Sequence, residues 1–260
     1  MLAIVAAFKD ELSGYLKRGR FQVTEQDNGF RIYQSMQVPD VVISEGGIGK
    51  ERSQESARLT AERFKPDMMI SAGFAGGASE DATPGDVFLC DRLVAVDGSP
   101  FLWGKEEAFE SSSVEMVQRF RQAILGDRSG YQVGSCITVP KFVSNRSMKE
   151  WLGNTFNVKL IDMESYWVSE VAASFRIPFL TVRAVLDPVD QSVPRFIGET
   201  VDKGMAVRTL RSVAHLVTNP TDAPQLIRLS RQVSVARAAL TQFLDKIVAA
   251  KELSAIDAES

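Results

Sequence analysis

The segment Arg183-Ala184-Val185-Leu186-Asp187-Pro188-Val189-Asp190 decides the predicted fold, because it directly follows the largely apolar run 177–182. Such a run is typical of a strand buried in a parallel sheet. In open α/β sheets, ligands bind in the crevice outside the carboxyl ends of the strands, where this segment places Asp187. Asp is also a preferred capping and turn residue, so a purely structural role for Asp187 before Pro188 stays open.

Strand patterns and helix patterns alternate along the chain before this segment. This alternation predicts an α/β fold with a central mixed, largely parallel sheet. Asp27-Asn28-Gly29 is typical of a hairpin turn and predicts a hairpin over 21–36. The other predicted strands are 2–8, 41–44, 67–71, 87–90, 132–139 and 158–163. The predicted helices are a short one through Leu12 and Leu16, then 50–64, 113–125 and 165–175, with a helical turn at 147–152.

Helical spacing replaces the alternation after Pro188. Helices are predicted at 206–217 and 225–251, separated by a break at 219–224. We expect the long helix to pack on its own domain or on a neighbouring subunit, and a basic amphipathic face on a membrane surface is the alternative. The chain is therefore divided into an α/β core, residues 1–197, and a helical extension, residues 198–260, packed on the same domain.

The composition fits one large α/β domain of 260 residues, and the net charge of −3 gives no electrostatic argument for nucleic-acid binding. Cys90 and Cys136 each lie in an apolar strand-like run and are expected to be buried free thiols. The single histidine, His215, argues against a multi-histidine metal site and against nucleophiles that need a histidine base. Residues 1–5 are too short for a signal peptide and no apolar run reaches membrane-spanning length, so we expect a cytoplasmic protein.

Two glycine-rich segments follow predicted strands. The segment 45–50 resembles a phosphate-binding loop, but Ser44 stands where the first glycine is required and Glu51 where serine or threonine binds magnesium. That interpretation therefore fails. The segment Ala72-Gly73-Phe74-Ala75-Gly76-Gly77 lets the backbone approach a ligand closely and offers amide donors, and a structural tight turn is an equal alternative.

Three carboxylates, Glu11, Glu164 and Asp187, and the glycine-rich residues 73–77 each come just after a predicted strand. We expect them to share one rim of the sheet, around one ligand. Carboxylates without histidines or metal ligands suit glycosidic cleavage, because an oxocarbenium-like transition state needs an acid at the leaving group and a base for the nucleophile. A carboxylate also accepts charge-assisted hydrogen bonds from sugar hydroxyls. The residues alone therefore favour a sugar-binding acid/base enzyme.

Several short motifs occur in a fixed order along the chain. They are Ala7-Phe8-Lys9-Asp10-Glu11, Gly46-Gly47-Ile48-Gly49-Lys50, Ser71-Ala72-Gly73-Phe74-Ala75-Gly76-Gly77, Pro84-Gly85-Asp86, Asp162-Met163-Glu164 and Arg183-Ala184-Val185-Leu186-Asp187. Over residues 2–197 this order resembles the purine nucleoside phosphorylase and methylthioadenosine/adenosylhomocysteine nucleosidase superfamily. The tail from residue 187 to 229 looks most like its hopanoid-associated phosphorylases. The resemblance implies a three-layer α/β/α fold, nucleoside phosphorylase-like, with extra C-terminal helices.

The resemblance also implies catalytic and sugar-binding roles. Asp187 matches the acid that protonates or hydrogen-bonds purine N7, and Glu11 matches the base that activates water. Glu164 matches the acceptor of the ribose 2′- and 3′-hydroxyls, with Met163 packed beneath the sugar.

Two further segments are implied to bind substrate. Phe142 and Val143 match the residues that stack on adenine and read its edge from the backbone, and a core aromatic is the alternative for Phe142. Many nucleosidases have a serine in place of Phe74, so the site of this chain is expected to be more apolar. The implied ligand-lining residues of the glycine-rich segment are Gly73, Phe74, Ala75 and Gly76.

The resemblance implies cleavage of the N-glycosidic bond of a 5′-substituted adenosine, with adenosylhopane of hopanoid biosynthesis as the first expectation. A methylthioadenosine/adenosylhomocysteine nucleosidase is the alternative, and a nucleoside-binding regulatory protein is the non-enzymatic one. The subgroup is assigned to phosphorolysis, whereas Lys9 with Glu11 is closer to the hydrolytic pattern, so both reactions stay open.

The expected partners and cofactors follow from the same resemblance. No cofactor or metal is implied, and phosphate would be the co-substrate only in phosphorolysis. We expect a homo-oligomer that binds a small adenosine-type nucleoside, free or lipid-linked, and no nucleic acid. A peripheral contact with the inner membrane is the alternative to a purely cytoplasmic location.

Overall fold

The computed structural model describes residues 1–27, 29–99, 103–104, 108–122, 130–193 and 223–258. The strands are β1 (Leu2–Ala6), β2 (Gln22–Asp27), β3 (Phe30–Gln34), β4 (Val41–Glu45), β5 (Met68–Gly77), β6 (Val87–Ala95), β7 (Phe109–Ser112), β8 (Gln132–Thr138), β9 (Leu160–Asp162) and β10 (Phe179–Asp187). The helices are α1 (Ser13–Arg18), α2 (Lys50–Phe64), α3 (Val114–Phe120), α4 (Arg146–Phe156), α5 (Ser165–Ser174) and α6 (Ala223–Ala258).

Within these ranges the strands form one ten-stranded mixed sheet in the order β10-β6-β8-β9-β5-β1-β4-β3-β2, with β7 paired to β6. Strand β1 lies parallel between β4 and β5, and the hairpin β2–β3 is antiparallel at the far edge. Strand β10 pairs with both β5 and β6. The strands β5, β10, β6, β8 and β9 therefore close into a ring, called the strand ring below.

Helices cover both faces of the sheet, which is why the central strands are apolar on both sides. In β1, Leu2 and Ile4 face a core cluster that includes residues of α1, α3 and α6. Ala3 and Val5 face the opposite cluster, which includes residues of α2 and α5. Helix α6 therefore packs on the same core as β1 and β10, and its residues in that cluster are Ala236, Leu240, Phe243, Leu244, Ile247 and Val248.

The predicted α/β fold with a mixed sheet is confirmed, and so are most of the elements. Helix α2 has the predicted bounds, and the predicted hairpin is present as β2 and β3, with Asn28 of its turn outside the described residues. Cys90 and Cys136 are buried and free, as expected. The predicted helix 206–217, with His215, lies outside the described residues.

Two predicted local structures are wrong. The glycine-rich residues 73–77 are not a loop, because β10 and β9 supply pairing partners that extend β5 as far as Gly77. The predicted helical turn 147–152 is the longer helix α4. The Asn145 side chain caps it by accepting hydrogen bonds from the backbone N–H groups of Ser147 at 2.8 Å and Met148 at 3.4 Å.

Candidate active site

Glu11 lies just after β1 and is held from two sides by the backbone. Its Oε2 accepts a hydrogen bond from the N–H of Phe8 at 3.1 Å, and its Oε1 accepts one from the N–H of Phe74 at 2.9 Å. Burial raises the pKa of Glu11, although the Phe74 N–H and the charge of Arg183 oppose the shift. A fixed carboxylate with a raised pKa is suited to accept a proton near neutral pH.

Glu164 is the residue before α5, and its Oε1 accepts a hydrogen bond from the N–H of Gly49 at 3.1 Å. Burial raises its pKa to about 8, and the carboxylates of Asp162 and Glu11 add to the rise, while Arg183 opposes it. The interaction between Glu11 and Glu164 shows that the structure brings these two predicted residues together.

Arg183 lies close to the carboxylates of Glu11 and Glu164 and is itself held by buried hydrogen bonds. Its guanidinium is 2% exposed and donates to Asp162 from Nε at 2.8 Å and to the hydroxyl of Ser71 from Nη2 at 2.8 Å. Asp162 also accepts from the Thr138 hydroxyl at 2.6 Å and from the N–H of Ser165 at 3.0 Å. A buried charge is tolerated only with such partners, so this network fixes the guanidinium in place.

A small cleft lies between these groups. It has room for about 10 Å³, which is about one water molecule. A Cβ atom on Gly73 would stand 2.8 Å from Glu11 Oε1 and 3.3 Å from Arg183 Nη1, so glycine is required for the carboxylate and the guanidinium to approach this closely. The lining residues are Val5, Ala6, Ala7, Glu11, Gly47, Ser53, Ser71, Ala72, Gly73, Glu164, Val168 and Arg183.

Asp187 lies at the carboxyl end of β10, as predicted, but not in the lining of this cleft. Its carboxylate is 2% exposed and forms a buried ion pair with Lys149 of α4. Burial raises the pKa of Asp187, and the adjacent Lys149 ammonium acts to lower it. A Cβ on Gly76 would be 3.6 Å from Asp187 Oδ2, so Gly76 leaves space beside the carboxylate.

The remaining predicted substrate-binding residues are spread over the neighbouring core. Val143 and Met163 are partly buried against a core cluster that includes residues of β8 and α4. Phe142, the residue before Val143, is also partly buried. Phe74 packs partly buried against the α1–α6 side of the sheet, whereas the Ala75 side chain is core. The amide of Phe74 is used by Glu11, so it is not an open donor for a ligand.

Sequence reasoning gave no role to four polar residues that build the site: Ser71, Lys149, Asp162 and Arg183. Arg183 and Asp162 interrupt apolar strands, which is a usable signal because a charge there needs a buried partner. Lys149 shares the buried face of α4 with Leu152 and Phe156 at a helical spacing of three and seven residues. A lysine at a position on an apolar helix face is expected to be buried and to have a buried partner, so the spacing could have identified Lys149.

Neither a metal site nor a membrane span is seen in the part of the chain that the structure describes. No group of three or more His, Cys, Asp or Glu side chains is arranged to hold a metal ion there. No helix among those residues has the length and apolar character needed to cross a bilayer.

Comparisons with known proteins identify the family and its named relatives. The phosphorylase superfamily is matched over residues 1–218. A 5′-methylthioadenosine/S-adenosylhomocysteine nucleosidase of Staphylococcus aureus (strain JH9) is 26% identical over 229 residues, which cover 84% of this chain and 99% of that protein. A protein of the same name from Listeria monocytogenes (strain HCC23) is 31% identical over 164 residues, covering 58% of this chain and 70% of that protein.

Solved structures share the fold. A futalosine hydrolase mutant of Helicobacter pylori aligns with a TM-score of 0.70 at 17% identity, over 95% of this chain and 97% of that one. A 5′-methylthioadenosine/S-adenosylhomocysteine nucleosidase from Helicobacter pylori, with butyl-thio-DADMe-Immucillin-A, aligns with a TM-score of 0.68 at 16% identity over the same shares of the two chains.

Proposed function

The chain belongs to the phosphorylase superfamily, and from this we propose that it is a nucleosidase that hydrolyses the N-glycosidic bond of a 5′-substituted adenosine. The proposed substrates are methylthioadenosine and adenosylhomocysteine, for which the Staphylococcus aureus and Listeria monocytogenes relatives are named. Because the chain belongs to this superfamily and its relatives are named as enzymes, we prefer an enzyme to the alternative of a nucleoside-binding regulatory protein.

The observation that carries the proposal is the position of Glu11 in the lining of one cleft together with Glu164 and Arg183. Its carboxylate is fixed by two backbone N–H groups and stands beside Arg183. Glu11 would take a proton from a water molecule in this cleft as the water oxygen bonds to C1′ of the ribose. Burial supports the role, because it raises the pKa of Glu11 and makes the carboxylate a stronger base.

Glu164 is proposed to bind the ribose hydroxyls across the same cleft. An ionised carboxylate can accept hydrogen bonds from two neighbouring hydroxyls, and its negative charge stabilises positive charge that develops on the sugar as the bond breaks. The pKa of about 8 means that the ionised form becomes dominant above that pH in the free protein.

Asp187 is proposed to act at the leaving base. The C1′–N9 bond breaks with its electron pair moving into the purine, and a proton on N7 makes adenine a better leaving group. Burial raises the pKa of Asp187, which favours the proton transfer that this step needs, whereas the adjacent Lys149 ammonium acts to lower that pKa. Met163, Phe142 and Val143 are proposed to contact the sugar and the base.

The names of the relatives favour water over phosphate as the nucleophile, because the Staphylococcus aureus and Listeria monocytogenes proteins are both named as nucleosidases. Lys9, which would supply an anion site near the first strand, is exposed and lies outside the cleft lining. Hydrolysis is therefore proposed in preference to phosphorolysis.

The test is adenine release from methylthioadenosine in phosphate-free buffer, repeated with added phosphate. We expect release at the same rate in both, with 5-methylthioribose as the reducing-sugar product. Glu11→Gln serves as the matched variant and should lose the activity while keeping the fold. Release that requires phosphate would refute the hydrolytic proposal.

The expected substrate adenosylhopane is not the main proposal, because it rests on the sequence of the tail, whereas the relatives carry the nucleosidase name. A side-by-side rate comparison of methylthioadenosine and a long-chain 5′-alkyl adenosine separates the two. A higher kcat/KM for the alkyl substrate would restore the lipid hypothesis.

The expected homo-oligomer and the peripheral membrane contact are likewise proposals. Light scattering of the purified protein tests the first, and co-sedimentation with anionic vesicles tests the second. A monomer that stays in the supernatant would exclude both.

A further inference from the structure

Among the described residues, the most completely buried cation outside the cleft is Lys149 of α4, which is 1% exposed. An unpaired buried ammonium is very costly, so its partners matter. Its Nζ donates to the Asp187 carboxylate, to the carbonyl of Pro188 at 3.0 Å and to the carbonyl of Gln191 at 2.9 Å. These three acceptors use all three N–H bonds of an ammonium group.

All three acceptors belong to one short segment, residues 187–191, which directly follows β10. Lys149 therefore fixes both the Asp187 side chain and the backbone that comes after it. The same segment is tied to α6, because the amides of Gln191 and Gln232 exchange two hydrogen bonds of 3.1 Å and 2.7 Å. Farther on, the N–H of Val193 donates to the carbonyl of Ser144 at 2.9 Å, next to the predicted base-binding residues.

The ion pair with Lys149 also makes the two carboxylate oxygens of Asp187 inequivalent. Among the described residues, the hydrogen bond to Asp187 from Lys149 goes to Oδ2. This leaves Oδ1 as the oxygen that can face a leaving base. Within the part of the chain that the structure describes, Lys149 is the charged group that faces Asp187 from a neighbouring element, while Asp190 of the same segment interacts with Arg146.

We propose that Lys149 is a positioning residue for departure of the purine: its ammonium orients Asp187 and stabilises the carboxylate that remains after the proton has moved to N7. This inference rests on the proposed function. In the step, the Asp187 O–H bond breaks, an N7–H bond forms, and the electrons of the C1′–N9 bond move into the purine ring. The negative charge left on Asp187 is then adjacent to the ammonium in a buried site, where the attraction is strong.

The first experiment compares a leaving group that needs a proton with one that does not. Lys149→Met and Lys149→Gln are measured with methylthioadenosine and with p-nitrophenyl riboside, whose nitrophenolate leaves without protonation. The Gln variant keeps an amide donor for the backbone carbonyls of the segment and removes the charge. Lys159→Met is the matched control, because Lys159 pairs with Asp81 at the surface.

For both Lys149 variants we expect kcat for methylthioadenosine to fall by about 10²-fold, the lower end of a general-acid contribution. KM should change little, since Lys149 does not reach the substrate, and kcat for p-nitrophenyl riboside should stay near that of the wild type. Equal losses on both substrates would mean a merely structural role and would overturn the inference. Unchanged rates on both would overturn it as well.

A second measurement separates this inference from the proposed function. Carbon-13 NMR of aspartate-labelled protein, with Asp187→Asn to assign the signal, follows the ionisation of Asp187 with pH. We expect the Asp187 titration to move to higher pH in Lys149→Gln and to stay in place in Lys159→Met, because only the first removes the adjacent positive charge. An unmoved titration refutes the role of Lys149 even if the enzyme is active. If the wild type releases no adenine at all, the proposed function fails. The titration would still show whether Lys149 acts on the ionisation of Asp187.

Discussion

Replacing Gly73 by alanine should impair catalysis more than it impairs folding. The added Cβ would stand 2.8 Å from Glu11 Oε1, whereas an ordinary contact begins near 3.4 Å. The carboxylate must then retreat by about 0.6 Å, the difference between these two distances. Gly73 has a backbone conformation that alanine can adopt, so strain at the main chain does not contribute.

The expected magnitudes follow from this displacement. A misplacement of about 1 Å can cost about 10²-fold in rate, so a shift of roughly 0.6 Å corresponds to a fall in kcat of about tenfold. The loss of stability should be about 1 kcal/mol, at the low end for overpacking, because the neighbour that must move is the end of a flexible side chain.

The assay is adenine release from methylthioadenosine, with kcat and KM determined separately, beside a urea unfolding curve. Gly76→Ala on the same strand is the control, since its Cβ would meet Asp187 Oδ2 at an ordinary 3.6 Å. We expect kcat of this control to remain close to that of the wild type. Wild-type kcat in Gly73→Ala, or an equal loss in Gly76→Ala, would refute the argument that Gly73 makes room for Glu11.

Three further changes test other parts of the site. Glu11→Gln should lower kcat by about 10²–10⁴-fold in steady-state assays, because no base remains for the water, and a smaller loss would remove Glu11 from that role. The pKa of Glu164 is raised from 4.5 to about 8, so the folded protein holds a proton that the unfolded chain has released, and stability should fall as pH rises between these values. Glu164→Gln should flatten that trend in urea unfolding series at several pH values, and identical slopes would contradict the assignment. Asn145→Ala should cost about 1 kcal/mol by removing the α4 cap, and an unchanged urea midpoint would contradict it.

Much of the site could be anticipated because strand ends are visible in the sequence. The apolar run before Asp187 and the short strand before Glu11 each predicted a carboxylate at a rim, and both residues are found at strand ends. Glu11 and Glu164 also meet, but by a different route from the one expected. Strand β9, which precedes Glu164, pairs antiparallel with the end of β5, whereas β1, which precedes Glu11, is parallel to β5. Their meeting therefore depends on the pairing of β9 with β5 and not on a shared rim of parallel strands.

The remaining features depend on pairing between distant segments. Sequence spacing placed Lys149 on a helix but gave no sign that its ammonium reaches the segment after β10, almost forty residues away. The glycine-rich residues 73–77 were predicted as a loop because glycine usually breaks strands. Only the register with β10 and β9 keeps them extended, and the missing side chain of Gly73 makes room for Glu11.

The strand ring has a consequence for how the molecule opens. Each of its strands has a partner on both sides, and the hydrogen-bonded network of the site joins four of them through Ser71, Thr138, Asp162 and Arg183. Strand β2, in contrast, pairs only with β3 among the described strands and is exposed along its length. Amide protons should therefore exchange first in the hairpin and last in the ring. We therefore expect fluctuations that begin at the hairpin edge to leave the residues of the candidate site undisturbed, so that local unfolding of the hairpin and loss of activity are separate events.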